Sequence, residues 1–181
     1  MKIFITGGCK NGKSFYAQEL LSHFDDSNVS NKYYIATMKP CDDEDLARIE
    51  RHKKERDGLG FITIEQPYNI SECLTKCNTA SSAMLDSTTA LLSNEMFLPD
   101  GTLNCSAHKK IVQELILLCQ SIKNIVIVSD YIFSDVGFYD ELTEAYRSSL
   151  AYIDRALAKE CDIVCEISYG NKIYHKGDTI L

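Results

Sequence analysis

Gly7, Gly12, Lys13 and Ser14 stand in the spacing G-x-x-x-x-G-K-[ST], within a stretch reading GGCKNGKS that directly follows the apolar run Ile3, Phe4, Ile5. This pattern does phosphate chemistry. Its glycines let backbone N–H groups curl around phosphate oxygens, Lys13 reaches the outer phosphates, and Ser14 offers a hydroxyl to magnesium at a helix N-terminus. A nucleoside triphosphate is therefore the expected ligand. The helix that must follow is read over Lys13 to Phe24, with Phe15, Leu20, Leu21 and Phe24 as its apolar face.

A second chemical segment is DDEDLARIERHKKERD, Asp42 to Asp57, in which twelve of sixteen residues are charged and only Leu46 and Ile49 offer a stripe to bury. At helical spacing Arg48, His52, Glu55 and Arg56 share a face. Guanidinium groups on either side of an imidazole favour its neutral, nucleophilic form. That face could hold phosphates, or it could be a solvated face laced with ion pairs.

These residues need a frame, and the chain supplies one by alternation. Strand-length apolar runs fall at Lys2 to Thr6, Lys32 to Thr37, Phe61 to Glu65, Ala83 to Asp86, Asn124 to Ser129 and Asp162 to Ile167. Between them, helices are expected at Asp42 to Arg56, Ile70 to Cys77, Thr88 to Phe97, Ser106 to Ile122 and Tyr139 to Lys159, with a surface turn at Leu98 to Asn104 and a last strand at Lys172 to Tyr174. Such alternation predicts an α/β fold: a three-layer P-loop NTPase-like domain with a mostly parallel sheet. With neither repeats nor a linker in 181 residues, one domain spanning residues 1–181 is expected.

A net charge of −7 disfavours nucleic acid as a partner. No apolar run reaches the roughly 18 residues that span a bilayer, and the N-terminus runs straight into the phosphate loop, so no membrane insertion and a cytoplasmic location are expected. The eight cysteines have no zinc-like spacing and read as free, mostly buried thiols, with Cys9 inside the phosphate loop as the exception. His23, His108 and His175 read as surface residues. Tyr131, Tyr139, Tyr146 and Tyr152 could line a face for a large ligand, or be core or subunit contacts.

The combination of GGCKNGKS, the strand end Tyr34-Ile35-Ala36-Thr37 and the run Ala47-Arg48-Ile49-Glu50-Arg51-His52-Lys53 resembles the adenosylcobinamide kinase/adenosylcobinamide-phosphate guanylyltransferase family. The resemblance continues through Glu65, Met84 to Thr89, Ser93-Asn94 and the Ala158 to Lys172 stretch. It implies a bifunctional enzyme of cobalamin biosynthesis that phosphorylates adenosylcobinamide with a nucleoside triphosphate, then transfers GMP from GTP through a GMP-histidine intermediate. His52 matches the intermediate-forming histidine and Lys13 the phosphate-loop lysine. Also implied are Mg2+, GTP with ATP as a further donor, a corrinoid acceptor, and a homo-oligomer, specifically a trimer.

By the same resemblance the nucleotide is contacted by Gly7, Gly8, Cys9, Lys10, Asn11, Gly12, Lys13 and Ser14, by Ile35, Ala36 and Thr37, by Lys53, Lys54, Glu55 and Arg56, and by Glu65 and Asp86. Glu65 could accept from guanine N1–H and its amino group, or simply close an edge strand. Asp86 could join Ser14 on the metal, or cap the helix near Thr88. Two stretches depart from the family: Asp130-Tyr131-Ile132-Phe133 stands where Asn-Glu-Val-Gly is usual, and Tyr152 where an arginine is usual. For Asp130 three readings stay open: replacement of the missing carboxylate, capping, and solvation. Beside the bifunctional reading stand a single-activity guanylyltransferase or kinase on another acceptor, and a non-catalytic GTP-binding switch.

Overall fold

The computed structural model describes residues 1–24, 31–135 and 137–180, apart from the side chains of Arg48 and Glu55. Its strands are β1 (Lys2–Gly7), β2 (Lys32–Ala36), β3 (Phe61–Glu65), β4 (Ser82–Asp86), β5 (Asn124–Val128), β6 (Ile163–Ser168) and β7 (Asn171–Lys176). Helices are α1 (Lys13–His23), α2 (Asp43–Glu55), α3 (Thr88–Met96), α4 (Ala107–Ser121) and α5 (Glu141–Glu160). The strands form one sheet in the order β3-β2-β4-β5-β1-β6-β7, parallel except for β7, which pairs antiparallel with β6.

The strands β1, β2, β4, β5 and β6 are buried on both faces, as a covered parallel sheet requires, while the edge strand β3 buries only Ile64. One core gathers Ile35, Leu85 and Ile127 with α3, α4 and α5; the other gathers Ile5, Met84 and Val126 with α1. Among the described residues α2 contributes no side chain to either core.

Three expectations change. Phe15 is 74% exposed, and α1 turns Tyr16, Ala17, Leu20 and Leu21 to the core instead, because Phe15 lies in the first turn on the side facing away from the sheet. Ile70–Thr75 is a 3-10 helix rather than an α-helix reaching Cys77. It is pinned at its start, where Asn69 N–H donates to Glu95 Oε1 at 2.7 Å and Lys110 donates to Asn69 Oδ1 at 2.6 Å. The Leu46 and Ile49 stripe of α2 is not core: Leu46 is 50% exposed, Ile49 half-buried, and both border a cavity described below.

Register decides what the strands deliver. Glu65 pairs with Ala36, Ala36 with Asp86, Asp86 with Val128, and Val128 with Ile5. One row across the sheet thus ends β3, β2, β4 and β5 and leads into the phosphate loop. The ladder continues beyond the strands: Thr37 N–H donates to Asp86 O, Ser129 N–H to Ile5 O, and Tyr131 N–H to Gly7 O. Ligands of open parallel sheets bind outside these carboxyl ends.

Candidate nucleotide site and the family it belongs to

The phosphate loop leaves β1 through Gly7, whose φ is +150° and whose missing Cβ would lie 2.3 Å from Ile167 O, so the chain passes β6 only as glycine. Gly12, at φ +86°, turns the chain into α1 with no side-chain cap on the first N–H groups. Those donors stay available to an anion. Lys13 is 6% exposed, and its ammonium donates to Gly8 O at 2.7 Å and pairs with Asp130 Oδ1 at 2.8 Å.

Over this loop lies a chamber of about 650 Å³, walled by Cys9 to Phe15, by Asp42, Asp45, Arg51 and His52 of the α2 segment, and by Asp86 and Asp130. A second chamber, of about 190 Å³, runs under α2 between Tyr34, Ala36, Met38, Leu46, Ile49, Arg56 and Glu65. Its largely apolar walls, with Glu65 and the buried Arg56 among them, suit a flat base. A third, of about 280 Å³, lies between α2 and α3, bordered by Thr89, Ser93, Asp130 and Tyr146. His52 and Asp86 border all three.

Asp86 does not cap α3. Ser87 does, accepting from Ala90 N–H at 3.4 Å, while Asp86 Oδ2 accepts from the Tyr34 hydroxyl at 2.9 Å. The strand ends are fixed by buried polar bonds: the Thr37 hydroxyl donates to Ser87 O and accepts from Ser87 N–H, each at 2.7 Å, and Asn94 bridges Thr37 O and Pro67 O at 2.8 and 3.0 Å.

Residues 3–174 match the family described as cobinamide kinase / cobinamide phosphate guanyltransferase. The chain belongs to this family. Two curated relatives agree along nearly their whole length, both called "Bifunctional adenosylcobalamin biosynthesis protein CobU". That of Escherichia coli (strain K12) is 28% identical over 169 residues, covering 87% of this chain and 90% of its own. That of Salmonella typhimurium (strain LT2) is 25% identical over 182 residues, covering 91% and 93%. Among solved structures the KaiC-like protein PH0186 of Pyrococcus horikoshii OT3 superposes with a TM-score of 0.55 at 12% identity, over 97% of this chain and 79% of that one. An ATPase domain superposes at 0.54 with 13% identity, over 97% and 76%. These likenesses concern the fold, a three-layer P-loop arrangement.

For this family member, Cys9 to Ser14, His52 and Asp86 meet at the chamber over the phosphate loop, while Ala36, Lys53, Arg56 and Glu65 meet at the second chamber, under α2. Gly7 and Gly8 shape the loop from behind; Ile35 is wholly buried and the Thr37 hydroxyl is engaged by Ser87. Lys54 is exposed and borders none of the three chambers, and the Glu55 side chain lies outside the described residues, as does that of Arg48.

Sequence reasoning met Tyr34, Thr89 and Ser93 only inside stretches that carry the family resemblance and gave none of them a place in the site. It underused Tyr34 in particular, whose ring lies 3.5 Å under the Arg56 guanidinium. Of the four tyrosines weighed together, Tyr146 borders one of these three chambers and the other three do not; its hydroxyl donates to Thr89 O at 2.9 Å. Tyr131, Tyr139 and Tyr152 lean on Phe133, Arg147 and His108 respectively. His108 is half-buried rather than a surface residue; His23 and His175 are exposed, and His175 Nε2 lies 2.9 Å from Glu166 Oε2. All eight cysteines are free thiols; Cys9, Cys41 and Cys105 are exposed. Among the described residues no helix is long and apolar enough to cross a membrane.

Proposed function

We propose that this chain phosphorylates the aminopropanol hydroxyl of adenosylcobinamide with a nucleoside triphosphate, then transfers GMP from GTP to the resulting phosphate by way of His52. The observation that carries this reading is the place of His52, on the wall shared by the phosphate, base and third chambers. With the guanine under α2 and the triphosphate over the loop, the α-phosphate of GTP falls at that shared wall. A ring nitrogen of His52 forms the N–P bond there, and the bond to the bridging oxygen of pyrophosphate breaks. Attack by the corrinoid phosphate then breaks the N–P bond, so one hard transfer becomes two easier ones.

Loop N–H groups and Lys13 hold the phosphates and balance their developing charge. The Ser14 hydroxyl and the Asp86 carboxylate border the same chamber, and among the described residues no cluster of three or more His, Cys, Asp or Glu competes with them as a metal site. Two hard oxygen donors are the protein share Mg2+ takes when phosphates and waters complete its shell. Bound there, Mg2+ would neutralise phosphate charge. Glu65 and Arg56 in the wall of the second chamber support a preference for guanine, since Glu65 accepts from N1–H and the amino group. The two transfers break different phosphate bonds of the donor, and α2 lies outside both cores. We therefore assign α2 as the part that shifts between the steps.

Intact-mass spectrometry after incubation with Mg2+ and GTP tests the central claim. The expected result is a gain of one GMP, acid-labile and absent in His52→Ala. GTP binding without any adduct would overturn the histidine step.

A further inference from the structure

Asp130 follows β5 at the point where the phosphate chamber meets the third chamber, and borders both. Its backbone is held on two sides. Its own N–H donates to Thr89 Oγ1 at 2.9 Å, and the next N–H, of Tyr131, donates to Gly7 O at 2.8 Å. Its carboxylate, 2.8 Å from the Lys13 ammonium, faces the loop.

We propose that Asp130 is the general base of the phosphorylation step, taking the proton of an alcohol acceptor that enters through the chamber between α2 and α3. This rests on the kinase half of the function proposed above.

The argument starts from Lys13. A phosphate-loop lysine reaches the outer phosphates when a triphosphate binds, and its ammonium then turns toward them. Asp130 cannot follow, because its backbone is tied to α3 and to the loop. A carboxylate oxygen is thereby released beside the γ-phosphate, facing the third chamber. There the Thr89 and Ser93 side chains border the cavity, and Tyr146 closes it by its bond to Thr89 O. At about 280 Å³ the chamber admits the hydroxyl-bearing arm of a large acceptor and leaves the rest outside. In the step itself the acceptor oxygen forms a bond to the γ-phosphorus, and the bond from that phosphorus to the β,γ-bridging oxygen breaks. The electron pair leaves with the nucleoside diphosphate, and the hydroxyl proton passes to Asp130 and on to solvent. Lys13 is therefore both the partner that holds the base and the trigger of its release.

Steady-state phosphorylation of adenosylcobinamide by Mg–ATP, followed by chromatography of the product, is measured for the wild type, Asp130→Asn and Asp130→Glu. ATP affinity is measured by calorimetry for each. Removing a general base costs about 10²- to 10⁴-fold, so Asp130→Asn is expected to lose at least about 100-fold in kcat with ATP affinity kept or improved. Asp130→Glu, which keeps a carboxylate one methylene further out, is expected to fall between the two and serves as the test if Asp130→Asn does not fold. A kcat for Asp130→Asn within threefold of wild type overturns the assignment and leaves the kinase reading standing. A loss confined to ATP affinity overturns it too, making Asp130 an anchor for Lys13. A wild type that binds ATP but yields no phosphorylated corrinoid removes the kinase reading itself, before any variant is compared.

Discussion

The Tyr34 hydroxyl donates to Asp86 Oδ2 at 2.9 Å, across the junction of two neighbouring parallel strands. Tyr34 is 5% exposed, so this bond is shielded from water and orients the carboxylate that borders all three chambers. Groups that orient a metal-side carboxylate affect metal affinity by about 10- to 100-fold. Tyr34→Phe is therefore expected to raise the Mg2+ concentration needed for half-maximal rate by about tenfold, while costing about 1 kcal/mol of stability. A Mg2+ titration of the initial rate checks this; an unchanged midpoint would leave Tyr34 with a packing role only.

Arg56 carries a different prediction. It is 7% exposed, its guanidinium lies 3.5 Å over the Tyr34 ring, and its Nη1 is buried with no hydrogen-bond partner among the described residues. A buried donor left unpaired is costly, and a ligand that supplies an acceptor removes that cost. Arg56→Met keeps the stem over the ring and removes the donors. Its GTP affinity is expected to drop at least about tenfold, the equivalent of one charge-assisted hydrogen bond, and calorimetry reads this directly. Equal affinities would restrict Arg56 to its contact with Tyr34.

The two loop glycines should fail in different ways. A Cβ at Gly7 would lie 2.3 Å from the backbone oxygen of Ile167, whereas at Gly12 it meets nothing within 4 Å and suffers only from φ +86°. Gly7→Ala has to part β1 from β6 and is expected to cost about 3 kcal/mol or more, or roughly 6–12 °C in Tm for a chain of this size. Gly12→Ala should cost about 1–2 kcal/mol and act on triphosphate binding instead. Melting curves with and without ATP separate the two, and similar losses of stability would contradict the close-approach argument.

Local chemistry was legible in the sequence. GGCKNGKS is a contiguous code, and β1, β2, β4, β5 and β6 lie within a residue of their expected bounds because each is a short apolar run that a doubly covered parallel sheet must bury, whereas the mostly polar, exposed β7 runs two residues past its expected end. The 3-10 helix at Ile70–Thr75 was misread because its conformation depends on Asn69, Glu95 and Lys110, which meet only in three dimensions. The chamber between α2 and α3 was hidden for the same reason: Thr89, Asp130 and Tyr146 come from three separate segments. Leu46 and Ile49 showed a stripe, but periodicity does not say whether a stripe faces a core or a cavity. Asp130 was visible as a polar residue after an apolar strand, but not its pairing with Lys13, 2.8 Å away and more than a hundred residues distant in the chain.

Asp154, on α5, accepts from the Ser129 hydroxyl at 2.8 Å. Burial pushes its carboxyl up to about 7 from the ordinary value of 3.8, the nearby Asp130 charge adds to the rise, and the Ser129 bond opposes it. An acid whose pKa is higher folded than unfolded binds more protons in the native state between the two values, so stability falls as pH rises through that window. The contribution of Asp154 is thus fully present below about pH 4, declines toward pH 7, and is lost above it. Asp154→Asn keeps an oxygen to accept from Ser129 and cannot ionise. The variant is therefore expected to gain on the wild type progressively from pH 4 to pH 7, by on the order of a few kcal/mol, and to hold a constant advantage beyond. Urea denaturation at pH 5 and pH 8 reads the difference. An advantage equal at both would mean that Asp154 stays ionised throughout, with Ser129 and the surrounding solvent outweighing burial.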